Sequence, residues 1–357
     1  MALDLPAKMT AVGLSKTGAS FDVIEEFRLR VPTPSPTQIL IKASCATKLV
    51  AWAGVNYADN QKRLGTWPMP LPPFPFTLGI ECVGTIVTLP TDNDALSDEE
   101  YRVRGFAVGS RVVSWAMGSA GTFAEYFLAD WSDVFPVPNE ISDRSAVASL
   151  VPGCTTLPLA TEAYNVKAGD YVLVHTVAGS VGLFFAQLVK ARGGIVIGTT
   201  STPEKAALAK ANGADHVILY KSENVAERVL EITGGLGVHA IFDGVGKDMF
   251  ETDLACIRAK GTIVWLGFAS GLVEPFAPHI TAFKAVKFVF ASAAAYIADK
   301  KAGREYIAEV FRLLANGTYK PVVYKEYPLS AEGVREAEKA LWEGRTSGKC
   351  LIKVASA

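Results

Sequence analysis

Gly179 and Gly182 stand three residues apart in Tyr171–Gly182, YVLVHTVAGSVG, directly after an apolar run. Glycines so placed let a backbone approach a pyrophosphate and let a helix sit close against the strand before it. Val181, Phe184, Phe185, Leu188 and Val189 then recur at helical spacing. The turn Ala178, Gly179, Ser180, Val181 and Gly182 thus offers N–H groups and a positive dipole end to an anion. The strict pattern G-x-G-x-x-G lacks its first glycine, because Val177 stands there. Glycines at helix starts also serve close packing alone, so the fragment needs its context.

A second polar set follows. A dinucleotide enzyme that uses NAD usually places an acid near the end of its second strand, on the ribose hydroxyls. Here Gly198-Thr199-Thr200-Ser201-Thr202 carries none, and the first acid is Glu204. Ser201, Lys205 and the Tyr220 hydroxyl instead suit a 2′-phosphate, which brings about two negative charges. The expected cofactor is NADPH; the plain alternative for Lys205 is a solvated surface lysine. The four histidines form no triad or relay, since His175 ends one apolar run and His216 begins another.

The elements around these residues alternate. Tyr171–Val174 reads as a strand buried on both faces. Ile195–Thr199, His216–Leu219, Val238–Phe242 and Thr262–Leu266 read as further strands. Helices are expected from Val181, from a cap at Ser201 with Pro203 and Glu204 after it, over Val225–Thr233 and over Asp248–Arg258. This β-α rhythm predicts a doubly wound parallel sheet, whose ligands bind beyond the carboxyl ends of the strands. The turns at 178–182, 199–201, 243–246 and 267–271 would line that edge.

Composition bounds the rest. The 357 residues are half hydrophobic and one-fifth charged, which describes two globular domains with a sizeable core. A net charge of −1 with no basic stripe argues against nucleic acid. No apolar run reaches membrane-spanning length, and the N-terminus lacks a secretory pattern. Five scattered cysteines without a C-x-x-C predict reduced thiols and a cytoplasmic setting. The first 150 residues are turn-rich, with short strands expected at Gln38–Lys42, Val83–Leu89, Ser110–Trp115 and Phe123–Leu128. Thr91–Arg104 reads as a charged, solvated loop. After a helix over Arg304–Ala315, Tyr319–Tyr327 and Lys349–Val354 read as strands that rejoin the first domain.

Ten segments now fall into one order: GVNYAD (54–59), Arg63-Leu64-Gly65, FTLGIE (76–81), GSRV (109–112), GTFAEY (121–126), the turn at 178–182, STPEK (201–205), FDGVG (242–246), GFASG (267–271) and EGRTSGK (343–349). Through them the chain resembles the zinc-free quinone oxidoreductases (zeta-crystallin-like) of the medium-chain dehydrogenase/reductase superfamily. The resemblance implies an α/β protein: a GroES-like β-rich catalytic domain with an inserted Rossmann domain. The expected boundaries are 1–152 for the first part of the catalytic domain, 153–298 for the NADPH-binding domain and 299–357 for a C-terminal helix and strands that rejoin the first. It also implies a homodimer, or a dimer of dimers, paired through Rossmann edge strands near Lys287–Ala291. Ser44–Ala51 is extra length before GVNYAD.

In the zinc-dependent branch of the superfamily a cysteine occurs where Asn56 stands and a histidine where Ile80 stands. A catalytic zinc needs three protein ligands, and Asn56 and Ile80 cannot replace them. No metal is expected. Hydride transfer to an already electrophilic acceptor, a quinone or an enone, then remains. By resemblance Asn56 reaches the nicotinamide or the acceptor oxygen, and Tyr57 is a candidate donor to a developing oxyanion. Thr155, Val245, Phe268, Ser270 and Lys349 join the turn residues as cofactor contacts. Asn56 serves equally well as a turn residue, and Tyr57 as packed core. Two other readings stay open: an NADPH-dependent alkenal or enoyl reductase, and a cofactor-gated RNA-binding or crystallin-like protein.

Overall fold

The computed structural model describes residues 5–43, 51–115 and 121–354. Of the extra segment Ser44–Ala51, all but Ala51 lies outside the described residues. The chain forms two compact units, Met1–Val151 with Val323–Ala357, and Pro152–Val322.

The first unit starts with β1 (Lys8–Leu14), β2 (Ile24–Arg30), β3 (Gln38–Lys42) and β4 (Ala51–Gly54). Helix α1 (Tyr57–Leu64) follows, then β5 (Phe76–Thr77) and β6 (Glu81–Thr88). Thr91–Arg104 is not a plain loop: it holds α2 (Asn93–Ser97) and α3 (Glu99–Arg104). Asp92 and Asp98, which look like solvated charges in the sequence, cap them by accepting from Ala95 N at 3.0 Å and Glu100 N at 2.9 Å. Arg104 is buried and donates to the Ser132 and Val134 carbonyls at 2.6 and 2.7 Å. β7 (Arg111–Trp115), β8 (Tyr126–Asp130), β9 (Val134–Pro136) and α4 (Asp143–Pro158) complete this stretch.

The second unit carries β10 (Tyr171–Val174), α5 (Ser180–Ala191), β11 (Ile195–Thr200), α6 (Pro203–Ala211), β12 (His216–Leu219), α7 (Val225–Ile232), β13 (Val238–Asp243), α8 (Phe250–Cys256), β14 (Ile257–Trp265) and β15 (Lys287–Phe290). Their order is β12-β11-β10-β13-β14-β15, and every pairing is parallel. The near-continuous apolar runs follow from burial on both faces: Leu173, Ile197, Ile241 and Ile263 are fully covered. The order in which strands are added reverses between β10 and β13, the switch point where such sheets bind ligands. α8 ends at Cys256, short of Arg258, because Ile257 already pairs with Val238 in the ladder. α6 is capped by Thr202, one residue after the expected Ser201, with Pro203 opening the helix.

After α9 (Ala293–Ile297) and α10 (Lys300–Ala315), the chain leaves for the first unit only at Val323. The helix expected to rejoin the first domain therefore stays with the second. Gly153 explains it, since a Cβ there would lie 2.7 Å from a Val310 methyl of α10. Tyr319 is no strand residue either; its ring packs on Phe184 and its hydroxyl lies 2.8 Å from Thr156 Oγ1. β16 (Val323–Pro328), α11 (Ala331–Trp342) and β17 (Lys349–Val354) close the first unit, in a sheet ordered β16-β17-β4-β6-β3-β8. No helix among the described residues is long and apolar enough to cross a membrane.

Between α1 and α11 the first unit buries charge. Arg63 is 1% exposed, donates to the Gly18 and Ala19 carbonyls at 2.9 and 2.6 Å, and lies over the Phe21 ring. Glu338 of α11 is fully buried, and neither carboxyl oxygen has a hydrogen-bond partner among the described residues. Burial, and then Asp59, push this carboxyl well above the usual range, against a weaker opposing pull from Arg63. The folded state therefore holds a proton that the unfolded chain releases above pH 5. Stability should fall as pH rises beyond that point, and Glu338→Gln should flatten the fall while leaving acid-side stability near wild type. Thermal melts across pH check this; parallel wild-type and variant curves would contradict a protonated Glu338.

Candidate functional site

In the second unit the segment after β10 turns sharply into α5. Thr176 takes a positive φ of 52°, and Gly179 N returns to Thr176 O at 2.8 Å. Gly182 is required by contact: a Cβ there would lie 2.5 Å from Thr176 O. Gly198 of β11 makes room likewise, since its Cβ would strike Val177 at 2.4 Å. No side chain caps α5, so the expected residues Ala178, Gly179, Ser180, Val181 and Gly182 present an N-terminus suited to an anion.

Next to it, Thr199 and Thr200 are buried and Ser201 is half-buried. Lys205 is also half-buried, and its ammonium is pushed below the ordinary lysine value by burial and then by Lys221. The two neighbouring cations Lys205 and Lys221 favour a doubly charged phosphate, which would relieve their repulsion. Glu204, the first acid after β11 in the sequence, bonds its own backbone N–H and the Thr202 hydroxyl, which holds its carboxyl below the usual range. It is spent on the helix start instead of a ribose. These residues fit a dinucleotide bearing a 2′-phosphate.

The loops after β13 and β14 are tied by Ser270, whose hydroxyl donates to Val245 O at 2.8 Å and accepts from Asp248 N at 3.0 Å. Ser270 thus shapes the loop that carries Val245. Phe268 lines an apolar cavity of about 380 Å³ with Gly246, Trp265, Leu272, Phe276 and Phe290, within the size range of small-molecule sites. Thr155 lies on α4, 8% exposed.

In the first unit the other expected residues form a closed knot. Lys349, at the start of β17, is 2% exposed; its ammonium lies 2.5 Å from Glu81 Oε1 and donates to Asn56 Oδ1 at 2.7 Å. Asn56 donates its two amide hydrogens to Glu81 Oε1 at 2.9 Å and Gly54 O at 3.1 Å. Glu81 Oε2 accepts from Val151 N at 2.8 Å. Neither amide hydrogen of Asn56 is left for an acceptor oxygen, and the Lys349 charge is matched internally. Tyr57 opens α1 and stacks on Trp342 with ring centroids 5.8 Å apart. Burial raises its hydroxyl above the ordinary value, against a smaller effect of Arg63, so it stays a proton donor at neutral pH.

The residues do not fit a catalytic zinc. The Asn56 amide is saturated, Ile80 offers only hydrocarbon, and no group of three or more His, Cys, Asp or Glu among the described residues could hold a metal ion. Glu81, Lys221 and the His175–Asp253 pair are absent from the expected set. A charge opening an apolar strand directly after Ile80, as Glu81 does in ECVGTIVT, is the sequence signal that could have marked the first of them.

Residues 37–139 match the family model described as an alcohol dehydrogenase GroES-like domain, and residues 180–311 the one described as zinc-binding dehydrogenase. A probable quinone oxidoreductase of Schizosaccharomyces pombe is 33% identical over 341 residues, 96% of each chain. A 2-haloacrylate reductase of a Burkholderia species is 32% identical over 270 residues, 75% of each chain. The crystal structure of Escherichia coli quinone oxidoreductase complexed with NADPH aligns with a TM-score of 0.87 at 29% identity, covering 97% of this chain and 100% of that one.

The knot yields a stability test. Lys349→Met strands a buried carboxylate and should cost about 3–5 kcal/mol in denaturant unfolding. Adding Glu81→Gln should recover much of that loss. Losses that simply add would mean that the two side chains are not coupled.

Proposed function

Because the chain belongs to the quinone oxidoreductase family of the medium-chain dehydrogenases/reductases, we propose that it reduces a quinone by direct hydride transfer from NADPH, without a metal. The observation that carries this reading is Asn56, which stands where the zinc branch has a ligand and is bound instead to Lys349 and Glu81. With no Lewis acid to activate an alcohol, the acceptor must be electrophilic already. The nicotinamide supplies the hydride, and a hydride plus one proton turns a quinone into a hydroquinone. The α5 N-terminus with Gly179, Ser180, Val181 and Gly182 binds the pyrophosphate, and Ser201, Lys205 and Tyr220 hold the 2′-phosphate. Thr155, Val245 and Phe268 flank the nicotinamide half. Tyr57 supplies a hydrogen bond to the acceptor oxygen. Asn56 and Lys349 serve as the scaffold beside it.

A homodimer joined along β15 fits the same reading. Among the described residues that strand has a neighbour on one side only, and Phe290 and Phe283 are 61% and 103% exposed close by. Among the described residues Cys82, Cys256 and Cys350 are buried free thiols, which supports a cytoplasmic setting.

The 2-haloacrylate reductase relative favours a second reading, reduction of an activated alkene. One NADPH-consumption screen over small quinones, enals, 2-haloacrylates and enoyl thioesters separates the two. Quinones should turn over best, with NADPH well ahead of NADH. Lys205→Ala should weaken NADPH by about 1.5–3 kcal/mol, tenfold or more in KM, and leave NADH nearly unchanged. Turnover of activated alkenes with inert quinones would replace the quinone reading. Equal use of NADH would remove the 2′-phosphate assignment.

A further inference from the structure

The edge of the parallel sheet that must take a polyanionic cofactor is underlain by two buried acids. Asp243 ends β13 and Asp253 sits on α8, and neither is exposed. Asp243 spends its oxygens on Val245 N at 2.6 Å and Gly246 N at 3.0 Å. Asp253 Oδ2 has no hydrogen-bond partner among the described residues. Two carboxylates beneath a phosphate site oppose binding unless a cation offsets them.

His175 is placed to be that cation. It follows β10, its ring is buried, and Nε2 lies 2.8 Å from Asp253 Oδ1. Nδ1 lies 3.0 Å from the Thr199 hydroxyl of β11, which also accepts from Thr176 N at 3.3 Å. Its backbone N donates to Phe242 O at 3.1 Å. One residue thus ties the turn after β10 to the end of β11, to α8 and to the exit of β13.

Among the described residues, none of the other groups near the cluster forms an ion pair with Asp243 or Asp253. Thr199 is neutral, and the Cys256 thiol of α8 is pushed up to about 12 by burial and then by Asp253. The Lys284 ammonium is bound to the Leu254 and Ile257 carbonyls at 2.7 and 3.0 Å. Burial alone would lower the imidazole, but the charge and hydrogen bond of Asp253, with Asp243, hold it above its ordinary value. Burial likewise raises Asp243 to about 6, against the pull of His175. The cluster therefore releases its proton at higher pH than an ordinary histidine would.

We propose that His175 is a positioning residue for the cofactor: its imidazolium balances Asp243 and Asp253 and fixes the turns that carry NADPH. The proposal rests on the NADPH reading above. Its consequence is cofactor affinity that falls with rising pH through a group of the protein.

The test is the NADPH dissociation constant, read by nicotinamide fluorescence from about pH 7 to 9, where the 2′-phosphate (second pKa about 6) is already ionised. Wild type should weaken by about tenfold or more across this range. His175→Gln, which can still donate to Asp253 but carries no charge, should bind about tenfold or more weakly than wild type at pH 7. His175→Gln/Asp253→Asn removes one negative charge and should restore much of the affinity at that pH. A flat wild-type profile, or a double variant no better than the single, would overturn the proposal while leaving NADPH as the cofactor. Wild type that binds no NADPH at any pH would overturn the cofactor reading, and this inference with it.

Discussion

A buried ammonium on a buried carboxylate organises the first unit. Lys349 and Glu81 carry charges that would be costly to desolvate singly, and their pairing is worth having only with near-complete hydrogen bonding around it. That requirement reaches into four segments. β17 supplies the lysine, β6 the glutamate, the corner between β4 and α1 supplies Asn56, and α4 supplies the Val151 N–H. Gly54 is fixed by the same demand, since a Cβ there would lie 2.3 Å from Glu81 Oε1. Asn56 faces a cation through its carbonyl and an anion through its amide nitrogen, so its orientation is fixed by charge. The position that would serve a metal is thereby closed chemically.

The two units handle buried charge differently. In the first, Lys349 and Glu81 cancel, and burial pushes the Glu338 carboxyl well above its usual range. In the second, His175 stands against two acids at an edge where the cofactor brings more negative charge. Charge balance there depends on pH and on what is bound, whereas the knot around Asn56 is matched within itself.

The parallel sheet was legible because burial on both faces forces continuous apolar strands, and Gly179 and Gly182 mark the turn where backbone meets backbone. The 2′-phosphate corner was legible from a missing acid, although Lys221 shows itself only once β12 brings it beside Lys205. α2 and α3 were hidden because Asp92 and Asp98 act as caps, and a cap looks like a solvated charge until the helix is seen. The unit that α10 joins is not legible in the sequence, because its amphipathic pattern says that it packs, without saying against what. The pairing of Lys349 with Asn56 spans 293 residues, and no local pattern encodes a contact at that distance.

The central claim is that Asn56, Glu81 and Lys349 make a site that works without metal. The most direct measurement is quinone-dependent NADPH oxidation and metal content on the same sample, before and after exhaustive chelation. The rate should be unchanged, with zinc and other transition metals far below one per chain. Activity lost on chelation and restored by stoichiometric zinc would contradict it.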